Sequence, residues 1–263
     1  MKGQCKLCSK TKKLIKAHMI PEWCFKHGSN PDENAIIATN DPMRRAETRS
    51  PGSVGIYDKN ILCEACDGSF SEWEQHFKEE FFQKFLTFSS QEPPPLEHPI
   101  ILSQGFSQEK LKLFFISLLW RASISKHSFY RRVNCGIKHE TKLKEMLIKN
   151  NAGDPSEFSV WAKYYADKDK ISYSKSVFIP LRCTIHKVNC YTFALLGFEF
   201  TIKSCSRPTP PTLKNAVLGE TGIWPCIPKN FIGSEMQEIA IKVGQRIVTE
   251  EHARSNAKKL SGR

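Results

Sequence analysis

No stretch of this 263-residue chain comes near the roughly 18 consecutive apolar residues that a membrane span needs. The longest apolar run, Leu113 to Trp120, is broken by Ser117. The N-terminus lacks the apolar segment of a signal peptide, so the protein is expected in the cytoplasm and off the membrane. Internal repeats are missing as well, which excludes solenoids and propellers. Acidic side chains are scarce: 27 against 39 Lys and Arg, a net charge of +12. Residues 1 to 16 hold no acid, only Lys2, Lys6, Lys10, Lys12, Lys13 and Lys16. Such a surplus points to a polyanionic partner, most commonly nucleic acid, and DNA is the expected form.

Cysteine is not scarce. Four of the ten cysteines form two C-x-x-C pairs, Cys5 with Cys8 and Cys63 with Cys66. Two intervening residues let both sulfurs of a pair converge on one ion from a tight turn, and two such turns complete the tetrahedron of structural zinc. The long gap between the pairs is no obstacle, because closure entropy grows slowly with loop length. A redox C-x-x-C would need a thioredoxin-like βαβ setting, which is absent. The other six cysteines are expected to be reduced thiols, with Cys183 and Cys190 flanking a hairpin in which they could face each other.

The expected fold class is α+β: a zinc-bound ββα-metal domain over residues 1–90, then a helical and antiparallel-sheet domain over 100–263. Residues 28 to 56 read as a long loop, with a short strand at Ala35 to Thr39. Phe70, Trp73, Phe77, Phe81, Phe85 and Phe88 recur at three-and-four spacing, which predicts one helix from near Ser69 to Phe88. Pro93 to Pro95 mark a linker, Ser89 to Pro99. Helices are expected at Ser107 to Ala122 and Lys138 to Lys149. Strands are expected at Val177 to Ile179, Cys183 to Val188 and Tyr191 to Lys203. Ser234 and Gln237 form a capping box that opens a C-terminal helix. Residues 100–263 could recognise substrate, form a homo-oligomer or bind a partner subunit.

Between the two knuckles stands Lys16-Ala17-His18-Met19-Ile20-Pro21, and Tyr57 to Asn60 lead into Ile61-Leu62-Cys63-Glu64-Ala65-Cys66-Asp67. This order resembles the HNH endonuclease family in its four-cysteine zinc form. The family pattern is a C-x-x-C, an acidic residue and His in a DHxxP element, then an Asn-Leu stretch running into LCxxCH and a helix. The likeness covers residues 1 to about 80. It implies hydrolysis of phosphodiester bonds, with His18 as general base, a role that suits an imidazole of ordinary pKa near about 6.5. It also implies a catalytic magnesium or manganese ion in addition to the structural zinc. Asp67 stands where the family has its last metal ligand, and a carboxylate suits magnesium. Asp58 or Asn60 stands where the middle Asn would orient the His.

One residue departs from the pattern. Ala17 replaces the usual acidic metal ligand, and either Glu74 or Glu22 could compensate. If neither reaches, the domain is a zinc module that binds nucleic acid without cutting it. Lys12, Lys13 and Lys16 around the first knuckle, with Arg44, Arg45 and Arg49 in the loop, are expected to contact phosphates. A second basic group, Arg121, Lys126, Arg131 and Arg132, could extend that footprint or simply face solvent. By analogy, free-standing nucleases of this kind often serve bacterial or phage defence.

Overall fold

The computed structural model describes residues 2–28, 35–37, 47–49, 55–85, 100–103, 106–165, 177, 180–219, 223–230 and scattered positions between 232 and 249. A small hairpin opens the chain, β1 (Lys2–Gln4) against β2 (Thr11–Lys13). Next come β3 (Ala17–His18) and α1 (Glu22–Gly28). Inside the long loop, β4 (Ala35–Ile37) pairs with β5 (Glu47–Arg49). β6 (Tyr57–Asp58) returns antiparallel to β3 and leads through the second C-x-x-C into α2 (Glu64–Gly68).

The helix expected from near Ser69 is present as one continuous run over residues 71–85, with a change of winding that the spacing did not announce; residues 86–88 lie outside the described residues. α2 ends at Gly68, and α3 (Ser71–His76) follows after the two turn residues Ser69 and Phe70. From Phe77 to Gln83 the chain winds as a π-helix. Wider i→i+5 winding shifts which side chains share a face, and here Phe77, Phe81 and Phe82 are all buried. Phe82 lies 5.7 Å from Trp23 of α1, while Phe77 and Phe81 pack against the second half of the chain. Phe77 stacks on Phe114 at 4.3 Å, and Phe81 lies 5.0 Å from Phe198. The linker at Ser89 to Pro99 lies outside the described residues.

α4 (Gln108–Ile124) begins where Ser107 Oγ accepts from Lys110 N at 3.2 Å, an N-cap bond. Every residue from Leu111 to Ala122 is buried, so α4 has core on all sides. α5 (Ile137–Lys149) packs on it and ends at Asn150, whose left-handed φ of 49° closes the last turn.

Six strands form one sheet in the order β7 (Ile100–Ser103), β12 (Ile223–Lys229), β8 (Val160–Tyr165), β11 (Phe198–Lys203), β10 (Val188–Leu195), β9 (Leu181–Ile185). Two features correct the expectation of an antiparallel sheet. β12 runs parallel to β8, so the sheet is mixed. The stretch Tyr191 to Lys203 also divides into two strands, turning at Leu196 and Gly197 with φ of 55° and 92°. His186 and Lys187 make a second two-residue turn with positive φ, and it sets Cys183 opposite Cys190 as free thiols. Of the capping box, Gln237 N donates to Ser234 Oγ at 3.1 Å, while the Gln237 side chain accepts from Gly233 N. One continuous core joins Cys5 at one end to Met236 at the other.

Glu199 on β11 is buried across the sheet between Lys163 of β8 (3.2 Å) and Lys229 of β12 (2.9 Å), with the Tyr165 hydroxyl donating at 2.9 Å. Burial alone would raise its pKa, but the two ammonium groups and the phenol outweigh that and hold it low. A depressed folded-state pKa adds stability above the ordinary glutamate value of about 4.3, and this stability fades as pH falls below it. Glu199→Gln should therefore cost about 2 kcal/mol at neutral pH. In thermal unfolding, the gap to wild type should narrow at acid pH.

Candidate functional site

The first C-x-x-C lies in the turn between β1 and β2, where Cys5 N donates to Lys10 O at 3.0 Å and Ser9 N donates to Cys5 O at 2.9 Å. The second frames the start of α2: Cys63 is its N-cap, and Cys66 N donates back to Cys63 O at 3.0 Å. Lys6 N to Ile61 O at 2.7 Å and Ile15 N to Leu62 O at 3.0 Å hold the two turns together across the sequence gap. The four sulfurs lie within 4.8 Å of one another. Tetrahedral zinc at its usual bond length of about 2.3 Å sets neighbouring sulfurs roughly 3.8 Å apart, so the cluster needs only a small contraction. Burial pushes the Cys5 thiol up, but the N–H groups of Cys8, Cys63 and Leu7 outweigh it and bring it down to about 7. Cys66 is pushed up by burial and by its thiol neighbours. The first proton leaves this cluster easily and the last does not, unless a cation balances the charge. This chemistry fits zinc.

His18 lies between the two C-x-x-C pairs in sequence. β3 carries it opposite Tyr57 of β6, and its ring meets the Tyr57 ring edge-on at 5.8 Å. Asp67 comes from α2 and Glu74 from α3, while Glu22 is in the first turn of α1. These four side chains, with Pro21, Trp23, Lys26 and Arg121, line one cavity of about 340 Å³. His18 Nε2 and Asp67 Oδ1 are buried at its wall without a hydrogen-bond partner. A buried polar atom left unpaired is costly, so both atoms are set up to meet something that enters. Glu74 and Glu22 are already engaged: Glu74 Oε1 accepts from Arg121 Nη2 at 2.9 Å, and Glu22 pairs with Lys26 at 2.5 Å.

Asp58 and Asn60 are not brought to this cavity. Asp58 is buried, but its carboxylate accepts from Ser125 Oγ (2.7 Å), Lys126 N (3.2 Å) and Asn60 N (2.9 Å). It ties the β6 turn to the end of α4, while Asn60 is exposed on that turn. Both line a separate hollow. Ala17 is fully buried, paired with Asp58 across β3 and β6, so position 17 offers no ligand. Among the described residues, only the four cysteines form a tight group of metal-binding atoms. Lys12, Lys13 and Lys16 are exposed on or just after β2. Arg44 and Arg45 lie outside the described residues, and of Arg49 only the backbone in β5 is described.

Arg121 is the residue that sequence reasoning placed wrongly, with an exposed or phosphate-facing basic group. It is 2 % exposed. Its guanidinium donates to His18 O at 2.8 Å, to Glu74 Oε1 at 2.9 Å and to Ser117 Oγ at 3.2 Å, over the face of Phe70. A signal was available: Arg121 follows Phe114 and Leu118 by seven and three residues, which puts it on a largely apolar helix face.

Asp67 titrates above the usual range because burial penalises its charge and Glu74 repels it, more than Arg121 and His18 attract it. The folded state thus binds this proton more tightly than the unfolded chain, and stability declines as pH rises past the ordinary aspartate value of about 3.9. Asp67→Asn is expected to melt above wild type at pH 7 in magnesium-free buffer. The advantage should vanish near pH 4 or below, where wild type is protonated in both states. Melting curves across that range check this. The chain matches no family model, and no curated protein or solved structure is significantly similar to it.

Proposed function

We propose that this chain is a metal-dependent endonuclease of the HNH type, hydrolysing phosphodiester bonds in nucleic acid. The observation that carries the reading is the meeting of His18 and Asp67 in one cavity, each with a buried unpaired atom, Asp67 being the residue that follows Cys66 of the four-cysteine cluster. Zinc at the cysteines would have a purely structural task, since four thiolates leave it no open position.

His18 Nε2 takes the proton of the attacking water. Tyr57 packed edge-on against the ring, and Arg121 holding the His18 carbonyl, fix the imidazole's position. The open Asp67 oxygen suits a hard divalent cation, and Glu74 or Glu22 joins it only by letting go of Arg121 or Lys26. When bound there, such a cation supplies charge stabilisation at the leaving oxygen. The exposed lysines of β2 neutralise flanking phosphates. A role in defence against foreign nucleic acid remains an analogy with the family.

A second reading has its own support. Ala17 supplies no carboxylate and Arg121 occupies Glu74, which suits a zinc module that binds nucleic acid without cutting. Plasmid nicking with added magnesium or manganese separates the two. Nicking that depends on the metal supports the enzyme. Salt-sensitive DNA binding with no nicking under either ion would leave the binding module.

A further inference from the structure

Tyr57, the ring packed against His18, also lines a second hollow of about 350 Å³, together with Asp58, Lys59, Asn60, Lys126 and His127. Its floor carboxylate, Asp58, is already satisfied by three donors. What faces outward is basic and aromatic. Lys59 and Lys126 are exposed, and the ammonium groups of Lys16 and Lys59 sit 5.1 and 5.8 Å from the centre of the Tyr57 ring. Ammonium groups beside an aromatic ring, in a pocket of nucleotide size, are the recognised chemistry for gripping a phosphate and stacking its base.

Position adds to composition. Tyr57 lines the hollow, and its ring centre lies 5.8 Å from that of His18, a separation that one nucleotide of an extended strand spans. A strand whose phosphate lies at His18 therefore passes this hollow at its next nucleotide. We infer that the second hollow is a subsite for that neighbouring nucleotide, with Lys59 and Lys126 on its phosphate and Tyr57 against its base, and that the substrate is single-stranded. A paired base inside a duplex cannot offer its face to a ring in a pocket, whereas an unstacked one can. This inference rests on the nuclease reading and narrows its substrate class.

Fluorescence anisotropy with labelled oligo(dT), oligo(U) and an oligo(dT)·oligo(dA) duplex, using the full-length protein, tests it. Single strands should bind more tightly than the duplex, and the better of the two single strands identifies the sugar. Tyr57→Ala should weaken single-strand binding about 10-fold or more, while Tyr57→Phe retains it. Because Tyr57 also supports His18, a Lys59→Ala/Lys126→Ala double variant gives a second measure, lowering the slope of log affinity against log salt by about 1.4. If single strands bind but neither the Tyr57→Ala nor the double-lysine variant changes affinity or slope, or if the duplex is preferred, the subsite is refuted and the nuclease reading stands. If no nucleic acid binds at all, both fall.

Discussion

Replacing His18 with alanine is expected to slow phosphodiester cleavage by about 10²–10⁴-fold, the usual contribution of a positioned acid–base group. The melting temperature should stay near that of wild type. The imidazole makes one edge-on contact and leaves Nε2 unpaired, so the fold gives up little with the ring. Arg121 grips the backbone carbonyl at this position, and that bond survives the substitution. Cleavage and stability should therefore separate, which a packing histidine would not allow. Parallel measurement of nicking rate and thermal unfolding decides it: equal nicking by variant and wild type would remove His18 from the chemistry.

The second large effect concerns the cysteine cluster. Elemental analysis is expected to find one zinc per chain. Stripping it with a strong chelator, or substituting Cys63→Ala, should lower stability by about 5 kcal/mol, against a total of about 5–15 for an ordinary domain. Four thiols crowded within 4.8 Å have no other reason to stay together once their charges are unbalanced. Hydrogen exchange should speed up first in residues 2–28 and 55–76, whose strands are only two or three residues long and cannot hold themselves in place. A metal-free sample that melts with the native one would refute the zinc site.

How far the sequence foretold this arrangement depends on the range of the interaction. C-x-x-C spacing is a local geometric constraint, and the cysteine cluster was legible for that reason. The order of His18, the second C-x-x-C and Asp67 was enough to anticipate that His18 and Asp67 line one cavity, because joining the two C-x-x-C turns brings the intervening elements together. Arg121 was not legible as a cavity residue, since its partners are a carbonyl 103 residues earlier and a carboxylate 47 residues earlier. β12 escaped notice for another reason. Pro225 and Pro228 lack the N–H that a strand interior normally needs, yet that strand lies between β7 and β8. The change to π winding at Phe77 was equally hidden. Aromatic residues at helical spacing announce a buried face but not how tightly the backbone winds to present it.

Helix α4 carries a final implication. It is encased by apolar neighbours over three turns, and it reaches from the sheet to the carbonyl of the catalytic-base candidate through one arginine. Moving the first ninety residues to another host would therefore cost them part of their packing. Cut free, they would bare Phe77 and Phe81 to water and leave Glu74 without its counter-ion. Any shuffling event that moved the zinc-bearing segment to a new host would have had to carry along, or reinvent, a rod to plug that wound.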